Sequence, residues 1–437
     1  MAQERKSAVE PILPVRLGKG DVHYARGVKA GPWVFTTGNM AQDFGHGIAE
    51  DVISPRLPQS GRPKNEKEAT RVFDHIEKVL NVSGADWTNV VRVDQYYPRA
   101  TAVDHYHVAR RARFGNLIPP STSILLPKLL LGDAEMDVQL MAVVPGQGMT
   151  TEHLQDEALA GHPTSGYSPA LRAGDFVFAA GMTASASGED AARRGLAEAA
   201  QRPDYTQWRG EPIKLETRYI IEKRVIPVLE LGGASLANVL KAQVYMTDVE
   251  DFASFNVVWK DYFPENPPVT TLIPSGRESI SNRHARIELN VIALRDNGAT
   301  ERKVIDTEVY TGYDSNSVAI RAGDMLFVSG LMAIDHNGLV PRAEVDPRQV
   351  NLQSTIHAQA DCILKNATAI CEATGTSLRN VVRAQHFLTD IRDFYDVYRV
   401  WQEYLPEAPI PFSAVEIASP LPVPGCTLLM DLWFYAP

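Results

Sequence analysis

A run in the middle of the chain carries three chemically useful side chains at alternating positions. Arg286, Glu288 and Asn290 lie in the segment ARIELNVIA, and alternate residues of a strand point to the same face of a sheet. The run therefore predicts a guanidinium, a carboxylate and an amide side by side. The carboxylate can act as a general base on water. The guanidinium can bind a substrate carboxylate through two parallel hydrogen bonds, unless it pairs with Glu288.

Two other segments are of the same kind. One face of EMDVQLMAV presents Asp137 between two polar residues, and one face of LLMDLWFYA presents Asp431 between a leucine and a tryptophan. Because the polar set is richest around Glu288, we rank this residue first as the general base. Asp137 is the second candidate and Asp431 the third.

Proline-led runs precede each of these strands and carry hydroxyl groups. They contain Ser121 and Thr122 in IPPSTS, Thr270 and Thr271 in PPVTT, and Ser413 in IPFSAV. Hydroxyl groups and free backbone N–H groups can hold a carboxylate without a cation. The same residue types are also typical of turns, so both interpretations stay open.

The elements that would position these side chains occur three times along the chain. The runs KAGPWVFTTG, RAGDFVFAAG and RAGDMLFVSG share one pattern, as do VLNVSGADWTNVVRV, VLELGGASLANVLKA and ICEATGTSLRNVVRA. Several motifs repeated at a common spacing indicate an internal repeat. We therefore divide the chain into three units, residues 1–148, 149–300 and 301–437.

Each unit predicts the order β-β-α-β-α-β-β. Helices are expected over 68–82, 215–231 and 354–373 from apolar residues at helical spacing, each ending near a glycine that suits a left-handed cap. The expected fold class is α+β, with two helices on one face of a mixed sheet. The other sheet faces would be buried against one another as an intramolecular pseudo-trimer. A solenoid is the alternative, which the length of each unit disfavours.

The second unit resembles the reactive intermediate deaminase (Rid, or YjgF) superfamily. Its phrases YSPALRAGDFVFAAG, GGASLANVLKAQVYMTDVEDFASFNVVWKDYF, PPVTTLIP and ARIELNVIA are similar to YxxAxxAGxxVFxSGQ, AGxSLxxVVKxxVFxxDxxDFxxxNxxYxxYF, PPARSxVxVxxLP and EIEAIA. The resemblance implies a chorismate-mutase-like fold. Single-unit relatives form homotrimers with a site in each cleft, and they hydrolyse enamines and imines to carbonyl compounds and ammonia.

The resemblance also implies site residues. An acid at the start of the last strand positions or activates water, and it maps to Asp137, Glu288 and Asp431. An arginine after the double proline grips the substrate carboxylate in such relatives. Its place is taken here by Pro120, Thr270 and Phe412, so all three units lack it.

Three further positions follow from the same comparison. The site tyrosine of the family maps to Tyr24 and Tyr167, whereas the third unit has Asn316. The helix asparagine is retained as Asn256, and His107 replaces it in the first unit. Arg286 and the hydroxyl groups with nearby backbone N–H groups are the substitutes that we consider for the missing arginine, and Asn290 is expected to bind the substrate beside them.

The function expected from these residues is hydrolytic deamination of an enamine or imine, with a small and carboxylate-bearing substrate. A 2-aminomuconate-type ring-cleavage product of aromatic degradation is the specific substrate class suggested by the resemblance. Two alternatives stay open: a non-catalytic protein that binds a small metabolite, and a different hydrolase or lyase on the same scaffold.

Charge and composition limit the classes of partner that we expect for this protein. The formal net charge is −10, with no basic cluster of the kind that nucleic-acid binding needs. The three cysteines form no pairing framework, and no apolar run is long enough for a membrane span. We expect a cytoplasmic protein with no cofactor, no metal, no nucleic acid and no membrane partner. The pseudo-trimer would be self-contained, with further homo-oligomerisation left open.

Overall fold

The computed structural model describes residues 7–17, 22–45, 47–53, 61–146, 148–159, 165–185, 195–203, 211–344, 348, 354–418 and 420–437. These residues form a mixed α+β fold built on three large β-sheets. The α+β class expected from the sequence is therefore confirmed.

The first sheet is formed by residues before 144. Its strands are β1 (Glu10–Leu17), β2 (Val22–Ala30), β3 (Trp33–Thr36), β4 (Val90–Tyr97), β5 (Ser121–Leu125) and β7 (Asp137–Val143). They are ordered β1-β2-β3-β7-β4-β5, and β4 and β5 are parallel. Helix α1 (Lys64–Ser83) precedes β4, and helix α2 (Val103–Phe114) connects β4 to β5.

The second sheet repeats this plan. Its strands are β8 (Thr151–Leu154), β9 (Ala170–Ala173), β10 (Phe176–Ala179), β11 (Ala234–Met246), β12 (Val269–Pro274) and β13 (Ile287–Arg295), ordered β12-β11-β13-β10-β9-β8. Helix α3 (Pro212–Ile220) continues through a π-helical turn, Ile221–Val225, into α4 (Ile226–Leu231), and α5 (Phe252–Tyr262) follows β11. Pro227 has no amide hydrogen for the preceding turn, which accounts for the wider turn.

The third sheet has the same core and one borrowed strand. Its own strands are β14 (Arg302–Ile305), β15 (Ala319–Ala322), β16 (Met325–Val328), β19 (Val381–Leu388), β20 (Phe412–Glu416) and β21 (Leu428–Tyr435). Strand β6 (Lys128–Leu129), from the first part of the chain, completes the order β14-β15-β16-β21-β19-β20-β6. Helices α6 (Thr355–Thr374) and α7 (Phe394–Tyr404) flank β19, and β17 (Ile334–Asp335) pairs with β18 (Gly338–Leu339).

One edge strand in each sheet was not predicted from the sequence, nor was the borrowed strand β6 of the third sheet. Strands β1, β8 and β14 come before the predicted pair and add an edge to it. These edge strands are only partly buried, so their apolar pattern is weak. The predicted left-handed glycines are confirmed, because Gly84, Gly233 and Gly375 have φ angles of 83°, 73° and 76°.

The faces of the three sheets that carry no helix share one apolar core. This core takes Trp33 from the first sheet, Phe178 from the second and Trp433 from the third, all fully buried. The ring of Phe35 meets that of Trp433 edge-on, with centroids 6.4 Å apart. Burial of these rings holds the three sheets against one another, so that strand ends of different sheets meet.

The described residues include no helix that is both long and apolar enough to cross a membrane. Cys362, Cys371 and Cys426 are buried and unbridged.

Candidate active site

The start of the last strand of each sheet lies beside the proline-led strand of another sheet. Asp137 on β7 accepts a hydrogen bond from Ser413 on β20, with 3.0 Å between the oxygens. Glu288 on β13 lies beside the first sheet, where the neighbouring Asn290 donates to Thr122 Oγ1 over 2.9 Å. These two acids therefore lie at contacts between sheets, as a site shared by two units requires.

Backbone pairing shows which residues correspond in the three sheets. The glycine that closes the strand pair is followed by a residue bridged to the last strand, and the three bridges are Asn39–Val138, Met182–Leu289 and Leu331–Met430. Residues one position earlier on the last strands therefore correspond to one another. They are Asp137, Glu288 and Leu429.

The prediction that Asp431 is the acid of the third unit is therefore wrong by two residues. Pairing of β16 with β21 places Phe327 opposite Trp433, where the second sheet places Phe178 opposite Ile292. Counted back from these pairs, Asp431 corresponds to Asn290. The acid position of the third sheet holds Leu429, which has no proton to transfer.

A second correction concerns the missing arginine. The parallel ladders pair Val93 with Ser121, Ala242 with Thr270 and Ala384 with Phe412. The position in the first unit is therefore Ser121, one residue after the Pro120 of the sequence alignment. The conclusion that all three units lack the arginine is unchanged.

Among the described residues, Glu288 is the least engaged in hydrogen bonds and ion pairs of the three candidate acids. Its residue is 5% exposed, whereas Asp137 is 0% exposed. Burial raises the pKa of Glu288 to about 8. Its Oε2 is buried and has no hydrogen-bond partner among the described residues. A carboxyl group of this kind holds a proton at neutral pH and has lone pairs free for a ligand.

The backbone at Gly181 forms the wall beside Glu288. Its N–H donates to the carbonyl of Ser121 over 3.0 Å. This hydrogen bond joins the second unit to the first. A side chain at this position would overlap the Glu288 carboxylate. Glycine is thus required here by close approach rather than by a turn.

Tyr167 and Asn290 are the other residues that the second unit contributes to the site. Tyr167 forms an isolated backbone bridge with Ile118 of the first unit. Burial raises the pKa of Tyr167 to about 12, and the negative charge of Glu288 adds to this shift. Asn290 is buried, and its Oδ1 has no partner among the described residues. We call Glu288, Asn290, Tyr167, Ser121 and Thr122 the Glu288 site.

Asp137 is more enclosed. Burial raises its pKa to about 7, although the hydrogen bond from Ser413 opposes the shift. Gln139, two residues on, donates to Ser413 Oγ over 2.7 Å and to Gln385 Oε1 over 2.5 Å. Tyr24 packs on Phe412 in the same region, with ring centroids 5.3 Å apart, and receives a hydrogen bond from Gln42.

Asp431 lies in a closed ion-pair network. Its Oδ1 is 2.8 Å from Lys241 Nζ, and its Oδ2 accepts from Gln243 over 2.6 Å. Burial alone would raise the pKa of Asp431, but the charges of Lys241 and Arg383 outweigh it and hold the pKa below its usual value. A carboxylate so occupied has no basic function left for a substrate.

Comparison of the sequence with known protein families identifies the family of this chain. The family described as endoribonuclease L-PSP, which is the Rid (YjgF) family, matches residues 158–295 and 298–428, together more than half of the chain. The chain belongs to the Rid family.

Individual relatives each match one part of the chain. The mitochondrial protein mmf2 of Schizosaccharomyces pombe is 35% identical over 18% of this chain and 64% of its own length. A RutC family protein of Pyrococcus abyssi is 30% identical over 31% of this chain and 90% of its own length. Reactive Intermediate Deaminase A of Arabidopsis thaliana, a chloroplast protein, is 27% identical over 29% of this chain and 62% of its own length.

Arg286, one candidate for the Rid carboxylate clamp, is engaged elsewhere. Its Nη1 is 2.7 Å from Asp251 Oδ2 at the start of α5, and its side chain is 42% exposed. Glu288 shows no influence of a cation on its pKa. The guanidinium therefore lies in a partly exposed ion pair away from the Glu288 carboxylate.

The other predicted residues divide among the contacts. His107, on α2, is half-buried, and burial together with Arg110 lowers its pKa to about 4. Asn256 accepts from Ser315 of the third unit over 2.6 Å. Thr270 donates its backbone N–H to Ser329, and Thr271 accepts from Lys241 over 2.7 Å. Asn256 and Thr270 thus contact serines of the third unit, and Thr271 lies at the closed Asp431 network.

Sequence reasoning missed Arg110 and Lys241. Arg110 on α2 is buried, and its Nη1 lies 3.4 Å from Ser121 Oγ. It is the eighth residue of its helix, and the eighth residues of α5 and α7 are Trp259 and Trp401. An arginine where the other two units have tryptophan is a signal that comparison of the repeats could have found.

Proposed function

We propose that this Rid protein is a hydrolytic deaminase of enamines or imines and that Glu288 performs its acid–base chemistry. One observation carries the proposal: a buried carboxyl group with a pKa of about 8 and an unpartnered oxygen, at a contact between two sheets. General acid–base groups work best when their pKa is near the pH of operation. The Arabidopsis relative, Reactive Intermediate Deaminase A, is named for the same reaction class, which supports the proposal.

The chemistry needs one group that gives and takes protons in turn. Protonated Glu288 donates to the imine nitrogen, or to the β-carbon of an enamine, and an iminium ion results. The carboxylate then takes a proton from water while the water oxygen bonds to the iminium carbon, which gives a carbinolamine. Glu288 passes this proton to the nitrogen. The C–N bond breaks, ammonia leaves with the electron pair, and the hydroxyl proton returns to the carboxylate as the carbonyl forms.

The three sheets differ in what they can contribute. We propose that they are the counterpart, within one chain, of the trimer that single-unit relatives form. Asp137 is the second candidate site, because its Oδ1 is buried without a partner. The third contact has Leu429 at the acid position, so we propose that it plays no part in catalysis.

We propose that the substrate is an imine that bears a carboxylate, with 2-aminomuconate as one candidate. Neutral hydroxyl and amide groups of Thr122 and Asn290 line the site and can position a polar substrate. A protein that binds such a molecule without converting it is the alternative, and it requires the same site.

Ammonia release tests the proposal. Imines are generated in the assay by an amino-acid oxidase, and 2-aminomuconate is prepared freshly as a separate substrate. We expect the wild-type protein to accelerate ammonia release from the imines above the buffer rate, and Glu288→Gln to abolish most of this acceleration. Asp137→Asn reports whether the first sheet contributes. Wild-type rates equal to buffer for every imine would refute the deaminase proposal, and failure with 2-aminomuconate alone would refute only that substrate.

A further inference from the structure

We propose that Arg110 binds the substrate carboxylate at the Glu288 site. This inference rests on the proposed function for the class of substrate, and it adds the residue that binds the anionic group of that substrate. The predicted substitutes for the clamp were a strand arginine and a group of hydroxyls. The structure instead brings a guanidinium from a helix of the first unit.

Among the described residues, the buried cation of Arg110 has no anionic partner. Its residue is 1% exposed. Its hydrogen bonds go to neutral oxygens, the Ser121 hydroxyl and the Ser165 carbonyl, and its guanidinium lies 5.4 Å from the ring centroid of Tyr106. No carboxylate of the described residues pairs with it, and its Nε is buried with no hydrogen-bond partner among them.

A cation in this state is costly to keep. Removing a charge from water carries a penalty of several kcal/mol unless a counter-ion and hydrogen bonds replace the lost hydration. The structure replaces the hydration only in part. An anionic group of a ligand would supply the missing charge, and a planar carboxylate suits the guanidinium geometry best.

The guanidinium of Arg110 lies beside the strand residue that corresponds to the carboxylate-binding arginine of the Rid family. Ser121, which Arg110 contacts, is the residue at which the Rid arginine is absent. The same helical position holds Trp259 in the second unit and Trp401 in the third, where both indoles are buried. A cation therefore replaces an apolar ring only at the contact that contains Glu288.

Arg110 and Glu288 form no direct ion pair in the part of the chain that the structure describes. The hydroxyl of Tyr167 lies within the electrostatic influence of both Glu288 and Arg110, whereas Glu288 itself shows no influence of Arg110. A direct ion pair between them would lower the pKa of Glu288. The geometry thus suits a substrate whose carboxylate meets Arg110 while its C=N group meets Glu288.

Binding of a product-like probe tests the inference without relying on turnover. The probes are 2-oxobutanoate and its uncharged methyl ester, titrated by calorimetry. We expect wild-type protein to bind the acid at least ~10-fold more tightly than the ester, because a hydrogen bond to a charged group is stronger than one between neutral groups. Arg110→Gln is expected to remove this preference and Arg110→Lys to keep part of it. Arg113→Gln is the matched control, because Arg113 pairs with Asp74 and Glu77 on the helix surface.

The outcomes separate this inference from the deaminase proposal. Arg110→Trp, which installs the residue of the other two units, is a second variant if Arg110→Gln melts early. Equal acid binding in wild type and in both variants with intact melting curves would overturn the role of Arg110, as would a wild-type protein with no preference for the acid. Arg110-dependent binding without any ammonia release would keep the anion site and reject the reaction.

Discussion

The Glu288 site and the corresponding contact of the third sheet start from the same backbone. In both, a glycine N–H from one sheet donates to the proline-led strand of the next, Gly181 to Ser121 and Gly330 to Thr270. The side chains then diverge. In the part of the chain that the structure describes, the first has a buried carboxyl oxygen of Glu288 without a hydrogen-bond partner, and the second has Leu429 with the closed pair of Lys241 and Asp431.

This difference shows what joining units in one chain permits. A homotrimer with one sequence must repeat every substitution three times, so that loss of one acid would be loss of all. Here one contact retains an acid in a reactive state, while another uses its buried polar groups for a fixed ion pair. A buried pair of this type contributes little net stability, but it requires both partners.

The largest expected effect separates the two contacts by activity. Glu288→Gln keeps the shape of the side chain but cannot exchange protons, so we expect ammonia release to fall by ~100- to 10,000-fold. Asp431→Asn is the matched change at the other contact and is expected to leave the activity per folded molecule nearly unchanged, because Asp431 contacts Lys241 and Gln243 and not Glu288. Equal losses in the two variants would contradict the division of roles.

Stability reverses the order of the two variants. Asp431→Asn leaves the Lys241 ammonium buried without its carboxylate, and we expect the free energy of unfolding to fall on the order of 3–5 kcal/mol. Chemical denaturation measures this loss. The double variant with Lys241→Met removes both charges and should recover most of the loss. If the double variant is as unstable as the single one, the ion pair is not the cause.

The pH dependence of activity follows from the raised pKa of Glu288. Glu288 must be protonated at the start of the proposed cycle, so kcat/KM is expected to be level below about pH 8 and to fall roughly tenfold per pH unit above it. A profile that falls below pH 6 instead would mean that the group acts only as a base and that its pKa is not raised. The falling limb should be absent from the residual activity of Glu288→Gln.

The same pKa affects stability. Burial raises the pKa of Glu288 from 4.5 to about 8, so the folded state holds the proton more tightly than the unfolded chain. The stability that follows is complete below about pH 4.5 and is lost as the pH rises through about 8. We therefore expect Glu288→Gln to melt at a higher temperature than wild type at pH 9, with a smaller difference at pH 5. Unchanged melting differences across this range would contradict a raised pKa.

The sequence predicted the strands, helices and repeated glycines well, because each has a local signal. It predicted the pairing of Glu288 with Asn290 from alternation along one strand, and the hydroxyl groups from the proline-led runs. Asp431 was misplaced because a shift of two residues keeps every side chain on the same face of the sheet, so an alternating pattern cannot detect it. Only backbone pairing fixes that register.

Arg110 illustrates a different limit. Helical periodicity shows which face of α2 is buried, but not which sheet of the folded chain that face meets. The role of Arg110 depends on its contact with Ser121 and Ser165, which are 11 and 55 residues away in sequence. Comparison of the three units would have marked Arg110 as unusual, but the direction of its guanidinium required the structure.

The smallest expected effect concerns two threonine hydroxyl groups that occupy corresponding positions in the two contacts. Thr122 accepts a hydrogen bond from Asn290 at the Glu288 site, and Thr271 accepts one from Lys241 at the closed contact. Thr122→Val removes a single neutral hydrogen bond, worth about 1 kcal/mol, so kcat/KM is expected to fall about fivefold through looser positioning of Asn290. Thr271→Val is the matched control and should lower stability without lowering kcat/KM. A loss of activity only in Thr271→Val would move the working site to the third sheet, because an effect so local cannot reach Glu288 through the intervening core.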